Sequence, residues 1–167
     1  MFETALRAAD GAAGAHCLHE LWMRGEWPQH IESGLQNLWK HAAKSIPEWL
    51  PMRHIEWLPK VYEIADGFCA VRKGRTHVYL VLLEYAEASR FEQYGVYVGM
   101  SHYSPAQRFD QHKAGIRAAG SVLKRGIELL AGPTMHLQYI SRSDAVRIEA
   151  ELAGALGDAG LRVEGGH

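Results

Sequence analysis

Gly95-Val96-Tyr97-Val98-Gly99-Met100-Ser101, followed by Ser104-Pro105-Ala106-Gln107-Arg108-Phe109-Asp110-Gln111-His112-Lys113, predicts a β-strand carrying one tyrosine, then a turn, then a helix. The helix has clear start signals: Ser104 at N-cap, Pro105 at the first helical position, and Gln107 completing a capping box. It is expected to run to residue 118 or 119, with Gly120 as its stop. At 3.6 residues per turn, Phe109 and Ile116 define the buried stripe. Arg108 and His112 fall on one flank, at about 100° and 60° from Phe109. They are aimed at the margin of the core, and a guanidinium fork matches two oxygens of a phosphate.

Upstream, Phe68-Cys69-Ala70-Val71 and residues 76–84 are rich in β-branched and aromatic residues and read as strands, with a turn at residues 72–75. Leu80 and Leu82 share one face, and Tyr79, Val81 and Leu83 the other. Apolar side chains on both faces predict a strand covered on both sides. The polar connection between Tyr85 and Tyr94 is short, so residues 76–84 and 95–100 should form an antiparallel pair. Downstream, residues 127–130 form a short helix or strand, and residues 135–140 a third strand. Ser141 or Ser143 caps a second helix reaching residue 159, closed by Gly160, and residues 161–164 make a brief last strand. The second helix buries Ala145, Ile148, Leu152, Ala155 and Leu156. Glu149 lies about 60° from Leu152 inside that face, whereas Glu151 points to solvent. A carboxylate beside an apolar stripe is costly unless it is paired or holds a cation. Glu149 is therefore a functional candidate, with an ion pair to an arginine as the structural alternative.

The N-terminal region, residues 1–70, is expected to be mainly helical and holds all five tryptophans. Residues 1–21 read as helix interrupted at Gly11 and Gly14. Ile31, Leu35, Leu38 and Trp39 recur at helical spacing in a helix ending near Pro47. Pro47, Pro51 and Pro59 then break the chain into turns. Tryptophans at such spacing are more often core than a base-stacking platform. Within His16-Cys17-Leu18-His19-Glu20 only His16 with His19 or Glu20 could converge, and ordinary helix surface is the better reading.

With 167 residues and 47% apolar content, the chain suits one domain with a sizeable extension. The formal charge of −1 does not by itself announce a nucleic-acid partner. Residues 71–167 nevertheless hold 12 Lys/Arg against 10 Asp/Glu, whereas residues 1–70 hold 6 against 9. Cys17 and Cys69 read as reduced thiols. No run reaches membrane-spanning length and no secretory signal is visible, so a cytoplasmic protein with no membrane association is expected.

Tyr79 and Tyr97 taken singly would be packing residues. Together with Arg108, His112 and Glu149 they combine phenols, a phosphate fork, an imidazole and a hard-cation ligand. A phosphodiester hydrolase needs an activated water, charge compensation at the phosphoryl oxygens and leaving-group stabilisation.

In this ordered set, residues 76–167 resemble the GIY-YIG nucleases. His77-Val78-Tyr79 stands for the first tyrosine motif and Tyr97-Val98-Gly99 for the second. Ser104-Pro105 leading to Arg108 and His112 matches the first helix. Glu149 in a helix ending at Gly160, then Val163 and Gly165-Gly166, matches the C-terminal part. Three departures stand out. His77 replaces a glycine, the gap from Tyr79 to Tyr97 is longer than in the shortest members, and no asparagine follows Asn37 where many members carry a late one.

The resemblance implies an α/β domain over residues 71–167, with a three-stranded antiparallel sheet flanked by helices. It also implies DNA endonuclease activity with one Mg²⁺ (or Mn²⁺) bound by Glu149. Arg108 would bind and stabilise the scissile phosphate, and Arg108, Lys113 and Arg117 would contact the DNA. Tyr79 and Tyr97 would position or deprotonate the attacking water, and His112 would orient or activate a tyrosine. A phenol with pKa near 10 is a weak base at neutral pH and would need neighbouring positive charge. The alternatives are a catalytically silent binding module on the same fold, or a protein-interaction role centred on residues 1–70.

Overall fold

The computed structural model describes residues 1–86 and 93–167; most of the connection between Tyr85 and Tyr94 thus lies outside the described residues. Two compact units emerge, Met1–Pro59 and Lys60–His167.

The first unit is helical: α1 (Phe2–Arg7), α2 (Gly11–Met23) and α3 (Pro28–Ala42), the last running into a short 3₁₀ turn at Ala43–Ser45. The break expected at Gly11 and Gly14 falls earlier, at Ala9, whose φ is +51°. Asp10 caps α2 by accepting from the Ala13 N–H. Gly14 instead sits inside α2, where Leu38 of α3 packs against it, while Leu18 of α2 packs against Gly34 of α3. Each leucine fills the gap left by the other helix's missing side chain. Trp22 is buried, as expected of core, but Trp27 is 70% exposed. Pro59 does not break the chain; it lies in the first turn of α4 (Leu58–Asp66), where a missing N–H costs nothing.

The second unit is built on a mixed sheet. Its elements are β1 (His77–Glu84), β2 (Tyr94–Ser101), α5 (Pro105–Lys113), α6 (Gly120–Arg125), β3 (Gly126–Leu129), a 3₁₀ segment (Gly132–Leu137), α7 (Arg142–Asp158) and β4 (Val163–Gly165). The strand order is β3-β1-β2-β4, so among the described residues the sheet has four strands where three were expected. β1 pairs antiparallel with β2, as the short connection predicts, and also with β3, but β4 runs parallel to β2. The alternation read in β1 holds. Tyr79, Val81 and Leu83 form one cluster with Tyr97 and Val122, backed by Phe109. The opposite face is covered by α7, which buries Ala145, Ile148, Leu152 and Leu156.

Three expectations need correcting. Residues 68–71 form no strand; Val71 is exposed and nothing pairs with the segment among the described residues. Residues 135–137 end a 3₁₀ segment and only Ile140 bridges to Thr76, while the Gln138 amide takes the Val78 and Thr134 carbonyls. Helix α5 stops at Lys113 rather than near Gly120, which instead opens α6, and Ile116 is 56% exposed. The cause is Gly115: at a φ of +79° it closes the helix, its N–H donating to the His112 carbonyl and the Ile116 N–H to the Gln111 carbonyl. Arg108 then holds the turn that follows, its Nη1 and Nη2 donating to the carbonyls of Ile116 and Arg117 at 3.2 and 2.8 Å.

The reciprocal Gly14–Leu38 and Gly34–Leu18 packing predicts that Gly14→Ala or Gly34→Ala destabilises the protein by about 1–3 kcal/mol through overpacking. That outweighs the ~1 kcal/mol by which alanine favours helix over glycine. Thermal unfolding by circular dichroism tests it; a raised melting temperature would contradict the packing.

Candidate functional site

The register sets the two tyrosines together. Tyr79 of β1 lies directly opposite Gly99 of β2. A Cβ at residue 99 would come within 2.7 Å of the Tyr79 hydroxyl and of the Tyr97 ring, so only glycine leaves room for the phenols to meet. The Tyr79 and Tyr97 ring centroids are 6.1 Å apart, and His112 lies 6.2 and 5.8 Å from them. Tyr79 and His112 are each 1% exposed. The short α5 positions the imidazole, and His112, not Ile116, is its deeply buried residue.

The hydrogen bonds here have a direction. The Ala119 N–H donates to His112 Nδ1 at 3.0 Å. That nitrogen is therefore unprotonated, and the neutral ring carries its proton on Nε2. Nε2–H then donates to the Tyr79 hydroxyl oxygen at 2.8 Å. Tyr79, having accepted, has its own proton free to turn toward Tyr97, whose ring centroid is 6.1 Å away. The Tyr97 O–H is left at the open end of the chain.

Burial pushes the His112 pKa down to about 4, helped by the nearby Arg108 charge, so the ring is neutral at ordinary pH. Burial also pushes both tyrosines up. Tyr79 is raised further by Tyr97 and eased by the Arg108 charge. Tyr97 is raised further by the Glu149 carboxylate, and eased by the Tyr79 hydrogen bond and by Arg108. Of the two phenols, only Tyr97 has its ionised form favoured by the other.

Glu149 of α7 is 6% exposed, and no lysine or arginine forms an ion pair with it among the described residues. The ion-pair alternative is thus not what holds it. Burial raises its pKa, offset in part by the charge of His167 and a hydrogen bond from the Met100 N–H. Glu151, as expected, is a surface residue, paired with Arg147 at 3.1 Å. No group of three or more His, Cys, Asp or Glu residues gathers anywhere among the described residues, His16 and His19 included. A cation at Glu149 would be held by one carboxylate and otherwise by water and substrate oxygens. This all-oxygen set, with an unneutralised buried carboxylate at its centre, suits Mg²⁺ or Mn²⁺.

The remaining site candidates separate. Lys113 Nζ donates to the carbonyls of Leu123 and Gly126, tying α5 to the end of α6. Arg117 lines an open cavity of about 750 Å³ together with Arg108, and Arg142 lines it too. Arg142 escaped the sequence reading, although a cation in the first turn of a helix, against the dipole, was a usable signal. His77, standing where the resemblance expects glycine, is buried and accepts from the Tyr139 N–H at Nδ1, with the Tyr139 ring edge-on at 4.7 Å.

Comparisons with known proteins return no match: no family model, no curated protein and no solved structure matches the chain.

The depressed His112 pKa gives a signed expectation. The unfolded imidazole takes a proton near pH 6.5 and the folded one only near pH 4, so its contribution is complete above pH 6.5 and lost as pH falls toward 4. Urea unfolding across this range should show His112→Asn with a flatter pH dependence than wild type. Parallel profiles would contradict a neutral His112 held by the Ala119 N–H.

Proposed function

We propose that the protein is a divalent-cation-dependent nuclease of the GIY-YIG type, hydrolysing phosphodiester bonds in DNA. The observation that carries this reading is the joint placement of a buried Glu149, with no lysine or arginine ion pair among the described residues, near Tyr97, and a His112–Tyr79 hydrogen bond beside the same Tyr97, flanked by Arg108. The five residues come from β1, β2, α5 and α7, and packing alone does not call for that combination.

When bound at Glu149, the cation supplies positive charge to the phosphoryl oxygens and the leaving oxygen. It would also neutralise the carboxylate that raises the Tyr97 pKa, removing the second-largest obstacle to Tyr97 ionisation. Tyr97, having lost its own proton to solvent, then orients the attacking water and accepts its proton as the water oxygen bonds to phosphorus. The P–O bond to the leaving oxygen breaks, and that oxygen takes a proton from solvent water. Tyr79 donates to the Tyr97 oxygen throughout, and His112 holds Tyr79 in that donor orientation. Arg108 offsets charge on the phosphoryl oxygens. The positive charge that a phenol base requires comes from Arg108 and the cation, because His112 is neutral.

Plasmid DNA in a metal series tests the proposal. Wild type should nick or cut in Mg²⁺ or Mn²⁺ and not in EDTA. Glu149→Gln should abolish cleavage while remaining folded, and Tyr97→Phe should lower the rate by about 10²–10⁴-fold, the usual span for general-base loss. Equal metal-independent background in wild type and Glu149→Gln would overturn it, and DNA binding in EDTA without cleavage in either metal would favour the silent binding module.

A further inference from the structure

We propose that the open cavity beside the tyrosine pair is a second phosphate subsite. Arg117 and Arg142 hold a phosphodiester flanking the scissile one, and Tyr103 carries the adjoining sugar or base. This assignment presupposes a nucleic-acid substrate for the tyrosine site.

The cavity, about 750 Å³, is lined by three arginines, and no aspartate or glutamate is among its described lining residues. Arg108 is committed: it donates to Gln111 Oε1 and to the Ile116 and Arg117 carbonyls, and its charge acts on Tyr79. It therefore joins the cavity wall to the tyrosine site. The side chains of Arg117 and Arg142 are exposed and make no hydrogen bond or ion pair among the described residues. Arg142 stands at the first position of α7, against the helix dipole, while Asp144 in the same turn pairs with Arg147 instead. An anion in the cavity is what would make that placement favourable. Arg117 has a φ of +45°, a left-handed conformation unusual for a non-glycine residue, and its carbonyl is held by Arg108.

The occupant is narrowed by the aromatic wall. Tyr103 is 43% exposed, and its ring lies 4.5 Å from the His102 ring, a pair that limits its movement. Guanidinium forks suit any phosphate, but a flat aromatic face beside them suits a sugar or base. An acidic peptide would use the arginines and leave the ring idle, and a free phosphate would do the same.

The test is fluorescence anisotropy in EDTA across a salt series, with a labelled DNA duplex and the corresponding single strand. Arg142→Ala and Arg117→Asn, the latter tolerant of positive φ, should each weaken binding about five-fold and lower the slope of log affinity against log salt by about 1. Tyr103→Leu should weaken binding about ten-fold and leave the salt slope unchanged. Such losses on either polymer support the subsite, and the polymer with the larger loss is the form it holds. Wild-type affinity and slope in both arginine variants, on both polymers, would overturn it. So would inorganic phosphate binding these arginines as tightly as DNA does. Because no cleavage is read, DNA binding with these losses and no hydrolysis in Mg²⁺ would sink the nuclease reading alone. Cleavage with unchanged slopes would sink the subsite alone.

Discussion

The hydrogen bond from the Ala119 N–H to His112 Nδ1 sets the direction of everything at the candidate site. A buried imidazole that accepts at one nitrogen must donate from the other while neutral, and burial keeps it neutral. Its proton therefore points at Tyr79, which leaves the Tyr79 proton free to turn toward Tyr97. Reversing that one bond would make His112 accept from Tyr79, and Tyr97 would lose the donor that favours its ionised form. The residue that ranks the two tyrosines is thus a backbone group seven positions from the histidine.

Two further constraints bring the partners within reach. Gly115 ends α5, Arg108 holds the turn beyond it by taking the carbonyls of residues 116 and 117, and the chain so held delivers the Ala119 N–H to His112. Arg108 is thus a positioning group for the loop as well as a charge beside the phenols. The sheet supplies the rest. Antiparallel register puts Gly99 opposite Tyr79, and Gly165 of β4, at a φ of +85°, approaches the other edge of the Tyr97 ring. Tyr97 lies between two glycines, and a side chain at either would displace it.

Much of this was legible in the sequence because the signals are local. The capping box at Ser104, the double-faced pattern of residues 78–83, the helix from Ser141 to Gly160 and the inward placement of Glu149 depend on neighbours within a few residues. What was missed depends, with one exception, on long-range pairing. The exception is α5: helical periodicity carries it on to Ile116 with Gly120 as the stop, whereas Gly115, itself a local signal, takes the left-handed conformation and ends it. Residues 135–140 have strand-like composition, but Gln138 satisfies the Val78 carbonyl in place of a ladder. The last strand was foreseen, yet its parallel pairing with β2, and hence the fourth place in the sheet, could not be read from its few residues. Tautomer and hydrogen-bond direction lie further still from the sequence.

The most direct test is ¹⁵N NMR of the His112 side chain in the full-length protein. The account predicts a neutral ring at pH 7, protonated on Nε2 and unprotonated on Nδ1, that remains so as pH falls until close to pH 4. A proton on Nδ1, or titration near the ordinary histidine value, would contradict it.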